Sequence, residues 1–125
     1  MRQILVTNDD GVEADGLRAL AKTLRTLGDV TVVAPAEEAS AVSHALTVRR
    51  PLQLREVREA WYSVDGTPTD CVNVAISEVM GRVPDLVVSG INNGLNVGDD
   101  VTYSGTVAGA LEGVLLGAPA LAVSL

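Results

Sequence analysis

Two adjacent acidic residues directly follow a strongly apolar segment near the start of the chain. The stretch ILVTNDDGV, residues 4–12, passes from aliphatic residues into Asn8, Asp9, Asp10 and Gly11. The aliphatic part is typical of a strand buried on both faces, so the acidic pair is expected at the end of that strand. Adjacent carboxylates repel each other, and a bound cation would offset the repulsion. An acidic loop that caps the next helix is the alternative explanation.

Further polar residues follow the later apolar segments, where strands are expected to end. In chain order they are Ser40, His44, Asn92, Asn96, Ser104, Gly105 and Thr106. Ligands of open α/β sheets bind beyond the carboxyl ends of the strands, so these residues and the acidic pair are expected to converge. Carboxylate, hydroxyl and amide oxygens suit Mg²⁺ or Mn²⁺ better than zinc. Taken singly, each of these residues also has an ordinary role in a turn or a helix cap.

The small-residue segment YSGTVAGAL, residues 103–111, is expected to begin a helix at about Thr106. Hydroxyl groups and free backbone N–H groups at a helix start attract an anion, and a glycine between them permits close approach. A cation site beside such a helix start is suited to metal-assisted transfer of a phosphoryl group to water.

Alternating strands and helices are expected to position these side chains. Strands are predicted at 3–7, 30–34, 46–54, 61–64, 86–89 and from 119 onward, and helices at 15–27, 68–80 and 106–116. This order predicts an α/β fold: a parallel sheet with helices on both faces, in three α/β/α layers. Thr67 and Pro68 are expected to start the second helix. Trp61 and Cys71 are expected to pack in the core.

The composition limits the class of protein. The 125 residues are expected to form a single domain, 1–125, and their 47% hydrophobic content excludes a disordered chain. A net charge of −7 argues against a nucleic-acid-binding surface. Because no apolar stretch is long enough to cross a bilayer and one cysteine cannot form an internal disulfide, a cytoplasmic location is expected, with no membrane contact.

Several motifs in their order along the chain resemble the SurE family of stationary-phase survival proteins. They are ILVTNDDG, SHALT, DGTPTDCV, DLVVSGINNGLNVGDDVTYSGTVAGALEG and PALAVSL. The resemblance implies a Rossmann-like fold and a metal-dependent 5′-nucleotidase, which releases phosphate from nucleoside 5′-monophosphates. Some members also act on 3′-monophosphates and short polyphosphates. The family pattern further implies a homodimer or homotetramer and a chain that continues past PALAVSL.

The resemblance also implies roles for individual residues. One divalent cation, Mg²⁺ or Mn²⁺, would be held by Asp9, Asp10, Ser40 and Asn92. The phosphate pocket would be lined by Asn8, Asn96, Ser104, Gly105 and Thr106. Our mechanistic hypothesis assigns Asp9, with Asp10 as the alternative, to orienting or deprotonating the attacking water, and His44 to protonating the leaving ribose oxygen.

Other classes of α/β protein share some of these features. A phospho-receiver signalling domain would bind Mg²⁺ through paired acids without hydrolysing a substrate, but it needs an aspartate after a middle strand, where this chain has Ser89 and Gly90. A haloacid-dehalogenase-type phosphatase needs a second aspartate at position 11, which is Gly11. A dinucleotide-binding module needs a glycine-rich turn after the first strand. The hydrolase is therefore the favoured interpretation, and the receiver domain is its alternative.

Overall fold

The computed structural model describes residues 2–37, 51–92 and 100–124, with only the backbone described for residues 100–104. The elements in these ranges, in chain order, are β1 (Gln3–Thr7), α1 (Asp15–Leu24), β2 (Asp29–Pro35), β3 (Leu54–Arg58), β4 (Trp61–Val64), α2 (Pro68–Val74), β5 (Leu86–Asn92), α3 (Asp100–Leu115) and β6 (Ala120–Ser124). A π-helical segment, Ala75–Met80, continues α2.

The strands form one sheet in the order β3-β4-β2-β1-β5-β6. All neighbouring pairs are parallel except β3 and β4, which are antiparallel. The parallel strands alone follow the Rossmann order, in which chain order reverses between β1 and β5. The predicted α/β fold is confirmed, with an antiparallel strand added at one edge. The reversal point makes the carboxyl ends of β1 and β5 the expected ligand site.

Helices cover both faces of the sheet, which gives the predicted three layers. On one face, α1 packs its buried stripe Leu17, Leu20, Ala21 and Leu24 against side chains of β1 and β2. The opposite face carries α2 and α3, and its core includes Leu5, Val33 and Cys71. Trp61 is buried in the first of these cores and Cys71 in the second, as the sequence predicted.

The sequence prediction was wrong for the end of α1 and right for the start of α2. The helix α1 ends at Leu24 and not at residue 27 as predicted. Leu27 fits the apolar spacing of the sequence, but it lies after the helix and is 63% exposed. α2 begins as predicted, because Thr67 accepts a hydrogen bond from the Asp70 N–H and the Asp70 carboxylate accepts one from the Thr67 N–H. This reciprocal pairing is a capping box, and Pro68 occupies the first turn.

The start of α3 corrects the sequence prediction. The helix was expected from about Thr106, but it begins at Asp100. Gly105 and Thr106 therefore lie in its second turn, where backbone N–H groups are already bonded within a helix. The prediction that residues 104–106 offer free N–H groups to an anion was wrong, and Ser104 and Thr106 are not at the helix terminus.

The strand β5 is longer than predicted and contains a β-bulge. It was expected to end at Ser89 but continues to Asn92. Ser89 pairs with Ala122 and Asn92 pairs with Ser124, so β5 has one more residue than β6 between the two pairs. Gly90 lies within this irregular stretch at φ 149°, a backbone conformation that favours glycine.

Candidate metal and phosphate site

The turn after β1 is shaped by the side chain of Asn8. Its Nδ2 donates to the Gly11 carbonyl at 2.8 Å, and the Gly11 N–H donates to its Oδ1 at 3.2 Å. Asn8 is only 1% exposed, so both bonds are shielded from water. The acidic pair, Asp9 and Asp10, sits inside a turn that this side chain closes. Asn8 thus has a structural role in addition to the phosphate contact proposed from the motif.

The same turn is tied to the strands beside it through Val12. The Val12 N–H donates to the Pro35 carbonyl at 2.7 Å, and the Val12 carbonyl accepts from the indole Nε1 of Trp61 at 3.1 Å. Trp61 is 3% exposed, and the Arg58 guanidinium lies 4.7 Å from its ring centroid. Arg58 also forms a 3.0 Å ion pair with Glu13, the residue after Val12. The backbone beside the acidic pair is therefore fixed to both β2 and β4.

The carboxylate of Asp9 lies directly against helix α3. A Cβ placed on Gly105 would be 2.6 Å from Cγ of Asp9 and 2.9 Å from its Oδ2. Real side chains do not approach so closely, so only glycine fits at position 105 with Asp9 where it is. Asp9 is 2% exposed, whereas Asp10 is only partly buried. The structure thus brings together Asp9 and Gly105, two residues that the sequence placed in different halves of the site.

The side chain of Asn92 is buried at the carboxyl end of β5. Its Nδ2 donates to Oγ of Ser124 at 3.2 Å. Its Oδ1 is also buried, and no hydrogen-bond partner for that oxygen lies among the described residues. A buried amide oxygen with no partner is costly unless something else bonds to it. The oxygen of Asn92 is thus suited to a cation.

Glycines of α3 bring the helix close to the strands below Asp9. A Cβ on Gly109 would lie 3.1 Å from Oγ of Ser89 and 3.2 Å from Cγ2 of Thr7. One turn further on, a Cβ on Gly113 would lie 2.8 Å from Cγ2 of Val87. Together with Gly105, these residues recur every four positions and face the sheet. The stripe therefore sets how closely α3 approaches the acidic pair.

The only cysteine of the chain is Cys71, a buried residue of α2 that packs in the core on the α2 and α3 face of the sheet. Burial raises the pKa of the Cys71 thiol well above its usual value, and the Asp70 carboxylate raises it further. The Thr7 side chain beside the thiol lowers the pKa, but by less. Because the thiolate is the nucleophilic form of cysteine, Cys71 has the character of a core residue.

The side chains at the carboxyl ends of β1 and β5 fit a hard divalent cation. Asp9 supplies a buried carboxylate, Asp10 a second one on the same turn, and Asn92 a buried oxygen. Within residues 2–37, 51–92 and 100–124, no three Asp, Glu, His or Cys side chains stand together as a metal-binding group. The predicted donor set has only two carboxylates, with hydroxyl and amide oxygens completing it.

Several predicted site residues lie outside the described part of the chain. These are Ser40, His44 and Asn96, together with the side chain of Ser104. Thr106 is described, and its side chain is buried in α3 at 1% exposure. The described site thus consists of Asn8, Asp9 and Asp10 from the β1 turn, Asn92 from β5, and Gly105 and Thr106 from α3.

Comparison with known proteins supports one family. Residues 4–125 match the sequence model described as survival protein SurE. The chain belongs to the SurE family. The crystal structure of the SurE protein from Aquifex aeolicus superposes on this chain with a TM-score of 0.90, and the two sequences are 48% identical. The superposition covers 98% of this chain and 50% of the Aquifex aeolicus chain. Family membership favours the hydrolase interpretation over the receiver-domain and dehalogenase-type alternatives.

Two bacterial relatives are each named 5′-nucleotidase SurE. The protein of Geobacter metallireducens is 63% identical over 123 residues, and that of Pelobacter propionicus is 63% identical over 122 residues. Each alignment covers 98% of this chain and 49% of the relative. The chain therefore spans about half the length of the curated relatives it matches. No helix in the described ranges combines the length and apolar character that spanning a bilayer requires.

Sequence reasoning missed two residues that shape this site, Trp61 and Ser124. Trp61 was assigned to packing alone, although an indole N–H usually finds a partner when it is buried. Ser124 has no role in the sequence prediction, although it is a polar residue at the end of an apolar parallel strand, where the other site residues also lie. In both cases the sequence signal was a single polar group, the indole N–H of Trp61 or the hydroxyl of Ser124.

Proposed function

We propose that the chain carries the metal-dependent phosphohydrolase site of a 5′-nucleotidase, which releases phosphate from nucleoside 5′-monophosphates. The observation that carries this proposal is the meeting of the Asp9 carboxylate, Gly105 of α3 and the end of β5 at the reversal point of the sheet. The names of the relatives support the substrate class. Nucleoside 3′-monophosphates and short polyphosphates belong to the same proposal as further substrates.

In this proposal the cation is held by oxygens of Asp9, Asp10, Ser40 and Asn92. A divalent cation, Mg²⁺ or Mn²⁺, would lower the pKa of a coordinated water and stabilise charge on the phosphoryl oxygens. The buried carboxylate of Asp9 orients or deprotonates the attacking water, with Asp10 as the alternative base. Its burial at 2% exposure keeps competing water away and strengthens its electrostatic effect.

The remaining residues of the motif are assigned to the substrate. Asn8, Asn96, Ser104, Gly105 and Thr106 are proposed to line the phosphate pocket, and His44 to donate a proton to the leaving ribose oxygen. Since α3 starts at Asp100, contacts from residues 104–106 would come from side chains and from the space beside Gly105 instead of from free N–H groups. A cytoplasmic homodimer or homotetramer with no nucleic-acid partner completes the proposal.

The test is release of inorganic phosphate from a panel of nucleoside 5′-monophosphates, with Mn²⁺, with Mg²⁺ and with a chelator. We expect metal-dependent release that Asp9→Asn lowers by at least about 100-fold, the scale of losing a general base. Asp15→Asn is the matched control, because Asp15 is fully exposed on α1 and should retain activity. Metal binding without phosphate release would favour the receiver-like alternative, and release unaffected by Asp9→Asn would contradict the proposed site.

A further inference from the structure

The residue that faces Asn92 across the sheet is Ser124, the last residue of β6. The two are register partners, and the Nδ2 of Asn92 donates to the Ser124 hydroxyl at 3.2 Å. An amide side chain has one donor end and one acceptor end. When Ser124 holds the donor end, the acceptor end is fixed in the opposite direction, and this is the buried oxygen that lacks a partner among the described residues.

The β-bulge in β5 is what brings Asn92 opposite Ser124. In a regular strand successive side chains point to opposite faces of the sheet. Ile91 and Val88 both pack in the core under α1, so they lie on the same face of the sheet. Residues on one face of a regular strand are separated by one or three residues, but two residues separate these. The extra residue shifts the alternation by one position, so that Asn92 lies on the same face as Ser89 and α3. That face also carries the Asp9 carboxylate, which lies against Gly105.

We infer that Ser124 is a positioning residue for Asn92, and that its hydroxyl turns the Asn92 amide oxygen toward the cation. The inference rests on the proposed function, since it takes Asn92 as a metal ligand. Partners that hold the far end of a ligand side chain fix its orientation, and their loss lowers metal affinity by about 10- to 100-fold. Ser124 itself makes no bond to the metal in this arrangement. Its contribution is to accept a hydrogen bond from Nδ2 and so hold the amide in the orientation that presents the oxygen of Asn92 to the site.

The test is the affinity of the metal-free protein for Mn²⁺, measured by the loss of the free Mn²⁺ signal in electron paramagnetic resonance. The Ser124→Thr variant keeps the hydroxyl. The Ser124→Val variant has the same shape as the threonine variant but carries a methyl group in place of the hydroxyl. We expect Ser124→Val to weaken Mn²⁺ binding by about tenfold or more and Ser124→Thr to stay within about threefold of the parent. Ser124 is exposed on the edge strand, so both variants should fold, which circular dichroism checks.

Asn92→Ala separates failure of the inference from failure of the proposed function. If Asn92→Ala weakens Mn²⁺ binding but Ser124→Val does not, Asn92 is a ligand that Ser124 does not position, and the inference is overturned. If Asn92→Ala leaves Mn²⁺ binding unchanged, Asn92 is not a ligand, and the inference falls together with that part of the proposed site. Equal losses in Ser124→Thr and Ser124→Val would also overturn it, because the hydroxyl would then have no specific effect.

Discussion

At the scale of single residues, the acidic turn is held by one side chain within it and by another that is distant in sequence. Asn8 closes the turn from inside, while Trp61, on β4, holds the Val12 carbonyl from two strands away. The acidic pair itself could be identified from the sequence, because adjacent carboxylates after a buried strand are chemically unusual. The contribution of Trp61 could not, because nothing in the local pattern specifies which carbonyl its N–H reaches.

Replacing Trp61 with phenylalanine should therefore destabilise the protein beyond the effect of lost packing. The change leaves the buried Val12 carbonyl without its donor, which costs about 1–3 kcal/mol in the free energy of unfolding. Urea denaturation followed by circular dichroism measures it. Tyr62→Phe is the control, since Tyr62 is the next residue of β4 and packs on the opposite core, and it should change stability by no more than about 0.5 kcal/mol. Equal effects of the two changes would contradict this account.

Cys71 should be unreactive in the folded protein. Burial and the neighbouring Asp70 raise its pKa, so the folded state holds the thiol proton at a pH where an unfolded chain begins to lose it. The stability this provides is present below the unfolded pKa and is lost as the pH rises above it, toward the folded pKa. At pH 8 we expect a thiol reagent such as dithionitrobenzoate to react fully only in denaturant. Rapid, complete reaction of the native protein would show that the thiol is accessible and ionised.

At the scale of elements, the site depends on how closely α3 approaches β1 and β5. Sequence periodicity predicted α1 well, because Leu17, Leu20 and Leu24 form a clear stripe. It placed the start of α3 six residues too late, since the segment before Thr106 is rich in glycine and polar residues and resembles a loop. The contacts of Gly105 and Gly109 with β1 and β5 lie between residues distant in sequence, which a local pattern does not record.

Gly105→Ala should disturb the site more than Gly109→Ala, although both add one methyl group to the same face of α3. At position 105 the methyl group meets the Asp9 carboxylate, whereas at position 109 its nearest atoms are side-chain atoms at 3.1 and 3.2 Å. Overpacking destabilises a protein by about 1–3 kcal/mol, whereas the higher helix propensity of alanine stabilises the helix by about 1 kcal/mol relative to glycine. We expect Mn²⁺ affinity to fall about tenfold further in Gly105→Ala. Equal affinities in the two variants, measured by titration, would show that Asp9 does not need this space.

The β-bulge and the π-helical segment of residues 75–80 were also missed from the sequence. The sequence predicts that the strand in VVSGIN ends at Ser89, before the glycine, but a glycine within an apolar run is also typical of a bulge. For residues 75–80 the apolar spacing predicted a continuous helix, which agrees with the extent of the element but not with its hydrogen-bonding pattern. In both cases the sequence indicated the element correctly and did not specify its local irregularity.

At the scale of the whole molecule, the chain has an apolar surface at one edge of the sheet. Among the residues that the structure describes, β6 pairs only with β5, and Leu121, the second residue of β6, is 56% exposed. On α3, Leu115 is 79% exposed. Exposed apolar side chains on an unpaired edge strand favour association with another chain. The fold class could be predicted because alternating strands and helices can pack into only a few topologies. No local sequence pattern specifies what covers this edge.

We therefore expect the isolated chain of 125 residues to self-associate through this edge. Leu121→Lys places a charge on β6 and should lower the average mass measured by light scattering at a given concentration. Ala19→Lys adds the same positive charge at an exposed position of α1, away from β6, and should not lower the mass. A mass equal to that of the monomer in the unsubstituted chain would contradict the expectation.

We propose that a divalent cation binds where the carboxyl ends of β1 and β5 meet α3. The most direct measurement is a crystal structure of the protein soaked with Mn²⁺, with diffraction data that record the anomalous signal of manganese. We expect one strong peak within about 2.5 Å of oxygens of Asp9, Asp10 and Asn92, a distance typical of hard-cation coordination. A protein that binds Mn²⁺ only at other positions, or shows no peak there at saturating metal, would contradict it.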